Sequence, residues 1–316
     1  MSEYGESIAP GTFQIRRILP GPIERLWDYI VDGRKRAQWF AGGEMEPRVG
    51  GTIHFWFEHK NLAPPGEPVP EQFKKPSEGM SAPGTVTRIE PPRLLAFLWG
   101  GGEVVFELSP LGDEVAFTIT HRRLATRQDV INVANGWHKH LDVLAAHLAG
   151  LPRQPFWGRI AELREEYERR LPLFVRVTRH FAASAERVFD AWLDPAMLGR
   201  WMFGEAVRDE QIVRLEVDPR VGGSFSFVVR RQGAEFAHIG SYRELDRPRK
   251  LAFTWGVKGH SNPDDSLVTI EIVPTPDGGC ELTLTHAMGP KWAEFKERAE
   301  AGWTKMLAKL AEAFAA

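Results

Sequence analysis

The tetrapeptides TITH (118–121) and TLTH (283–286) close two strand-like stretches, and each ends on a histidine. Strict alternation puts His121 on the same face as Phe117 and Ile119, and His286 on that of Leu282 and Leu284. An imidazole on an otherwise apolar face suits two roles. It can orient a carbonyl or move a proton at a cavity mouth, or it can pack against a tryptophan and bond to nearby backbone. The sequence shows no pairing with a serine or carboxylate, so His121 and His286, with Trp99 and Trp255 beside them, are candidates for chemistry in the cavity, and binding without catalysis is the leading expectation. The patterns GxxxxGK[ST], GxSxG, HExxH and CxxC are absent. His138 and His140 are two apart on a helical pattern and point to different faces, as expected of helix-edge residues. His140 and His147 share a face, but the corresponding residues later in the chain are Met306 and Ala313. No metal and no cofactor is expected. Glu24, Asp28 and Asp32, repeated as Glu186, Asp190 and Asp194, form an acidic ridge on a short helix, which reads as a solvated face.

Aromatic residues carry more of the functional case. Period-two and helical spacing direct Trp39, Phe55, Phe57, Phe97, Trp99, Phe106 and Trp137 inward in the first half of the chain. Trp201, Phe225, Phe227, Phe253, Trp255 and Trp303 do the same in the second half. With His121 and His286 these are the candidate ligand-binding residues. They either wall a cavity for a small apolar or aromatic molecule or fill a core, and the sequence leaves both open.

The elements that must position them are written twice. ERLWDYIVDGRKRAQWF (24–40) aligns with ERVFDAWLDPAMLGRWM (186–202) without a gap. PRVGG recurs at 47–51 and 219–223, GTVTRIEPPRLLAFLWG at 84–100 matches GSYRELDRPRKLAFTWG at 240–256, and GWHKHLDVLAAHL at 136–148 matches GWTKMLAKLAEAF at 302–314. The order is preserved, so a whole domain is duplicated. Each copy predicts an opening strand (12–19; 173–181), two short helices, a PRVGG turn, a run of antiparallel strands and one long amphipathic helix covering the apolar face of a curved sheet. The expected organisation is a first domain at 10–150, a helical connector at 151–172 and a second domain at 173–316. Ile160, Leu163, Tyr167 and Leu171 form the connector's apolar stripe, which docks on a domain or stays solvated. A Pro-rich stretch, residues 60–83, enlarges one connection of the first copy and reads as a lid with Phe73 and Met80 at its tips, or as a disordered insertion.

Composition sets the class. The chain has 316 residues, 43% hydrophobic and 26% charged, with a net charge of −2, which leaves no basic footprint for nucleic acid. Cys280 is the single cysteine, so an intrachain disulfide is excluded. The sequence shows no signal peptide and no apolar run of membrane-spanning length. A cytoplasmic protein is expected.

W-F/M closing the second short helix, VGG entering an aromatic strand, LAFxWG, TxTH and GWxxxL together resemble the activator-of-heat-shock-protein-90-ATPase-like family. That family belongs to the START-like (SRPBCC, birch-pollen-allergen-like) helix-grip superfamily. The resemblance implies an α+β fold, tandem helix-grip domains each wrapping a curved antiparallel sheet around its last helix. It also implies binding of a small apolar or aromatic ligand without catalysis. The alternatives it carries are a co-chaperone or other protein partner, and cyclase- or hydrolase-type chemistry in the cavity.

Overall fold

The computed structural model describes residues 3–74, 77, 79–205 and 207–315. It divides into two compact units, Met1–Leu171 and Pro172–Ala316. In the first, strands β1 (Glu6–Ala9), β2 (Thr12–Pro20), β3 (Thr52–Phe57), β4 (Met80–Glu90), β5 (Leu94–Trp99), β6 (Gly102–Leu111) and β7 (Glu114–Arg122) form one antiparallel sheet in the order β1-β2-β7-β6-β5-β4-β3. Two short helices, α1 (Ile23–Val31) and α2 (Gly33–Arg36), follow β2, and the long helix α3 (Arg127–Leu148) lies on the sheet's apolar face. Thr126 and Asp129 start α3 with a reciprocal capping box.

The second unit repeats the plan. Its strands are β8 (Leu173–Phe181), β9 (Gln211–Val217), β10 (Ser224–Arg231), β11 (Ala234–Asp246), β12 (Lys250–Thr254), β13 (Gly256–Val257), β14 (Ser266–Pro274) and β15 (Cys280–Met288). They run in the order β8-β15-β14-β12-β11-β10-β9, with β13 on β11. The connector helix α4 (Trp157–Arg170) belongs to the first unit, and α5 (Ala185–Asp190), α6 (Pro195–Trp201) and the long α7 (Lys296–Ala315) complete the second. Ser184 caps α5 through its side chain. Each unit is thus a curved antiparallel sheet gripping one long helix. Among the described residues, no helix is long and apolar enough to cross a membrane.

The repeated PRVGG turn has a physical reason. Gly50 and Gly222 sit at φ +76 and +82, a conformation that side-chain-bearing residues resist. A Cβ on Gly51 or Gly223 would lie 2.2 Å from the carbonyl oxygen of Glu46 or Asp218. Backbone pairs Gly50–Val86 and Val86–Gly51 at 2.8 and 2.9 Å, and Gly222–Tyr242 and Tyr242–Gly223 at the same distances, tie each turn to the second strand after it, β4 or β11. That strand carries a bulge at the same place in both copies, between Val86 and Arg88 and between Tyr242 and Glu244. The two glycines therefore let the chain clasp the bulge that bends the sheet around its helix.

The structure revises the acidic ridge. Helices α1 and α5 end before Asp32 and Asp194, and each of those carboxylates caps the next helix, Asp32 accepting from the amides of Arg34 and Lys35 and Asp194 from that of Ala196. Asp28 pairs with Lys35 at 2.6 Å and Asp190 with Arg247 at 2.8 Å. These groups hold local structure together and face solvent.

Candidate functional site

In the first unit, α3 and the sheet enclose an apolar cavity of about 290 Å³. Of the predicted residues, Phe57, Trp99 and Trp137 line it. Trp39, Phe55, Phe97 and Phe106 are fully buried in the core behind that wall, packed on one another and on Phe40 and Phe117. His121 opens instead onto a groove of about 460 Å³ beside Gly100–Gly102, with Trp99 as the partition between groove and cavity.

The cavity's roof comes from segments whose role the sequence left open. His59 reaches in from just before the Pro-rich stretch, Phe73 and Met80 from within it, and Trp157 and Ile160 from α4. Within that stretch, Lys75, Pro76 and Glu78 lie outside the described residues. Helix α4 packs on α3, burying Trp157, Ile160, Leu163 and Tyr167. Its N-terminus is held by Glu67, whose carboxylate accepts from the amides of Phe156 (2.7 Å), Trp157 (2.7 Å) and Gly158 (3.2 Å). Leu62 and Ala63 pack with Phe156, Trp157 and Ile160, and Phe73 stacks on Trp157 with centroids 5.3 Å apart. Stretch and helix thus form one latched cover. Two polar atoms in this wall, His59 Nε2 and Trp157 Nε1, are buried without a hydrogen-bond partner.

This cover also corrects the reading of His138 and His140 as helix-edge residues, since both are buried. His138 Nδ1 is 2.9 Å from the Tyr167 hydroxyl, and His140 Nδ1 is 2.7 Å from the Trp39 carbonyl. His147 turns elsewhere, to Tyr29 at 3.0 Å. Among the described residues, no group of three or more His, Cys, Asp or Glu side chains is placed to hold a metal.

The second unit has a cavity of about 320 Å³. Trp255, His286 and Trp303 line it, and Met306 takes the place of His140. Phe225, Phe227 and Phe253 pack in the core behind Trp255, Phe225 stacking on Phe227 at 4.6 Å, and Trp201 packs against Trp192 at 4.7 Å. The sequence missed the polar part of the lining, which includes Arg208, Arg231, His238, Ser266 and Arg298. The alternation of Arg231 and His238 on neighbouring strands was the one available signal.

Both conserved-in-duplicate histidines meet the tryptophan of the long helix. Trp137 Nε1 donates to His121 Nδ1 at 3.3 Å, and Trp303 Nε1 donates to His286 Nδ1 at 3.0 Å. An indole nitrogen is a donor only, so Nδ1 is the acceptor and the ring proton sits on Nε2. Burial pushes both imidazoles down to about 4, so they are neutral near pH 7. In the second unit Nε2–H then donates to Ser266 Oγ at 2.6 Å. A nitrogen that donates has no lone pair free to take the serine proton, so this Ser–His contact does not generate a nucleophile. In the first unit the position facing Nε2 is Gly102, where an added Cβ would lie 2.6 Å away, and the N–H is left to the groove.

Fold and cavities define a tandem pair of helix-grip domains, each with a pocket between sheet and long helix. The chain belongs to the family of activator of Hsp90 ATPase homolog 1-like proteins, whose model matches it twice, at residues 20–149 and 182–315. Among solved structures, a Bordetella parapertussis protein is 40% identical over 54% of this chain and 93% of its own, with a TM-score of 0.46. An AHSA1-like protein from Aeromonas hydrophila is 22% identical over 44% of this chain and 90% of its own, TM-score 0.37. DynU16, from the dynemicin biosynthetic locus, is 17% identical over 96% of this chain and 98% of its own, TM-score 0.37. No curated protein matches the sequence.

Proposed function

We propose that each unit binds one small apolar or aromatic molecule between its sheet and its long helix, without catalysing a reaction on it. The observation that carries this reading is a pair of glycines. Gly136 and Gly302 sit inside α3 and α7, immediately before Trp137 and Trp303, and both line a cavity. A glycine in a helix interior costs roughly 1 kcal/mol relative to alanine. Neither has a positive φ, and a Cβ on either would meet nothing within 4 Å. Backbone geometry and packing therefore give no reason for glycine, and open space against the helix is what it provides. In the first unit Phe57, Trp99 and Trp137 supply flat walls, with Asn132 and Asn135 as polar handles. The tautomer fixed by Trp303 speaks against hydrolase chemistry at Ser266 and His286. Binding of a chaperone or other protein, the alternative the family name suggests, has no feature of its own in either cavity.

The test is to fill the space. In Gly136→Leu the first cavity closes, in Gly302→Leu the second, and the double variant is expected to bind no N-phenyl-1-naphthylamine, a neutral dye that fluoresces in apolar sites. Thermal melts of the variants should stay at or above the wild type, because leucine is the better helix former by roughly 0.5–1 kcal/mol. A double variant that bound the dye like the wild type would sink the reading.

A further inference from the structure

The two cavities differ in charge. Among the described residues, no ionisable group other than neutral histidines lines the first. Arg208, Arg231 and Arg298 line the second, and among the described residues no carboxylate does. Behind the arginines lies Glu210, which is buried, accepts from Arg231 Nε at 2.5 Å and stands 3.6 Å from Arg208 Nε. One carboxylate against three guanidiniums leaves two positive charges on the wall. Arg298, on the first turn of α7, has no ion-pair partner among the described residues, and it repels Arg208. His238 and His286 add no charge, since burial holds both well below neutrality. Much of the remaining lining is apolar, with Trp255, Trp292 and Trp303 prominent. Like charges held together at the edge of an apolar pocket are relieved by an anion that carries its own apolar body.

Resting on the proposed binding function, we infer that the second unit selects an amphipathic anion, an aromatic or aliphatic molecule bearing one carboxylate, sulfonate or phosphate, while the first takes a neutral one. Arg298 and Arg208 meet the acid group, Ser266 offers the hydroxyl proton that His286 leaves free, and the tryptophans cover the apolar body.

The experiment uses the full chain carrying Gly136→Leu, so that only the second cavity is open. The probes are 1-anilinonaphthalene-8-sulfonate and N-phenyl-1-naphthylamine, which share a ring system and differ by the sulfonate. The sulfonated dye is expected to bind roughly ten-fold more tightly, the scale of one charge-assisted contact, and to weaken as salt is raised. Arg298 is exposed and has no ion pair among the described residues, so Arg298→Gln is expected to leave the fold intact. It should weaken the sulfonated dye roughly five- to ten-fold and the neutral dye less than two-fold, with Arg298→Glu larger in the same direction. Adding Gly302→Leu should abolish both. If the two dyes bind equally and the Arg298 variants change neither, the cavity has no anion preference and this inference falls while the binding function stands. If neither dye binds the Gly136→Leu protein, the binding function itself fails in this unit and takes the inference with it.

Discussion

Replacing Glu67 by alanine is expected to loosen the first unit by roughly 2 kcal/mol and to open its cavity, with no effect on the second unit. The carboxylate accepts from three consecutive amides at the start of α4, two of them at 2.7 Å. Charge-assisted caps of this kind contribute roughly 1–2 kcal/mol, and their loss leaves helix-end donors unpaired. The consequence extends beyond the cap, because the segment carrying Glu67 also carries Leu62, Ala63 and Phe73, which are packed on Phe156 and Trp157. Once unlatched, stretch and helix separate at the roof of the cavity. Hydrogen exchange would report this directly, since amides of 157–170 in Glu67→Ala should exchange at least ten-fold faster than in the wild type, while those of α7 keep their rates. Glu67→Gln, which retains an acceptor without its charge, should fall between the two. Deleting residues 62–81 removes Phe73 and Met80 as well and should weaken dye binding in the first unit alone. Unchanged exchange across 157–170 in Glu67→Ala would show that α4 is held by its buried stripe and not by the latch.

Most of the fold was legible because its signals are local. Period-two alternation fixed which face each strand buries, and the PRVGG glycines marked a turn whose backbone angles and close contacts do require them. The duplication made each inference twice, which separated pattern from accident. Position along a buried face was another matter. Alternation says that Phe55 and Phe57 point the same way, but only Phe57 reaches the cavity, because depth along the strand depends on what the helix covers. Arg36 shows the same limit. It reads as a surface arginine among GRKR, yet it is fully buried, with five hydrogen bonds to the carbonyls of Ile30, Val31, Ala41, Gly42 and Gly43. The aligned residue of the second copy is Leu198, also buried, so one copy closes this corner with a satisfied guanidinium and the other with a hydrocarbon. Glu67 and α4 are 89 to 91 residues apart, and no periodicity links them. The arginines of the second cavity come from strand, loop and helix, and only the fold brings them to one wall.

Acidification should unfold the first unit before the second, and before carboxylate titration would account for it. Burial lowers His59 and His121 to about 4 and His138 and His140 to about 3 in the folded first unit. For His138 and His140 nearby positive charges add to the effect, Arg17, Arg159 and Lys139 facing the former. In the unfolded chain each titrates near 6.5. Between those values the unfolded state binds protons that the folded state refuses, so stability is complete above about pH 6.5 and is lost as pH falls. The limiting slope is roughly 1.4 kcal/mol per pH unit for each histidine, or on the order of 5 kcal/mol per unit for four, against a typical domain stability of about 5–15 kcal/mol. Asp142, 3.7 Å from His138, works in the opposite direction, because burial raises its pKa and favours the folded state in acid. One such carboxylate does not offset four imidazoles. The second unit has two histidines of this kind, His238 and His286, and so about half the slope. Pulsed hydrogen exchange at steps from pH 7 to 4, resolved by peptide, should show 3–171 losing protection near pH 5 while 172–315 retains it. His138→Gln, which keeps a polar side chain beside Tyr167 but does not titrate, should shallow the first unit's pH dependence by about a quarter of its slope. Simultaneous loss of protection in both units, or a first unit stable to pH 4, would mean that protonated imidazoles are accommodated in the fold and that the buried histidines do not control its acid limit.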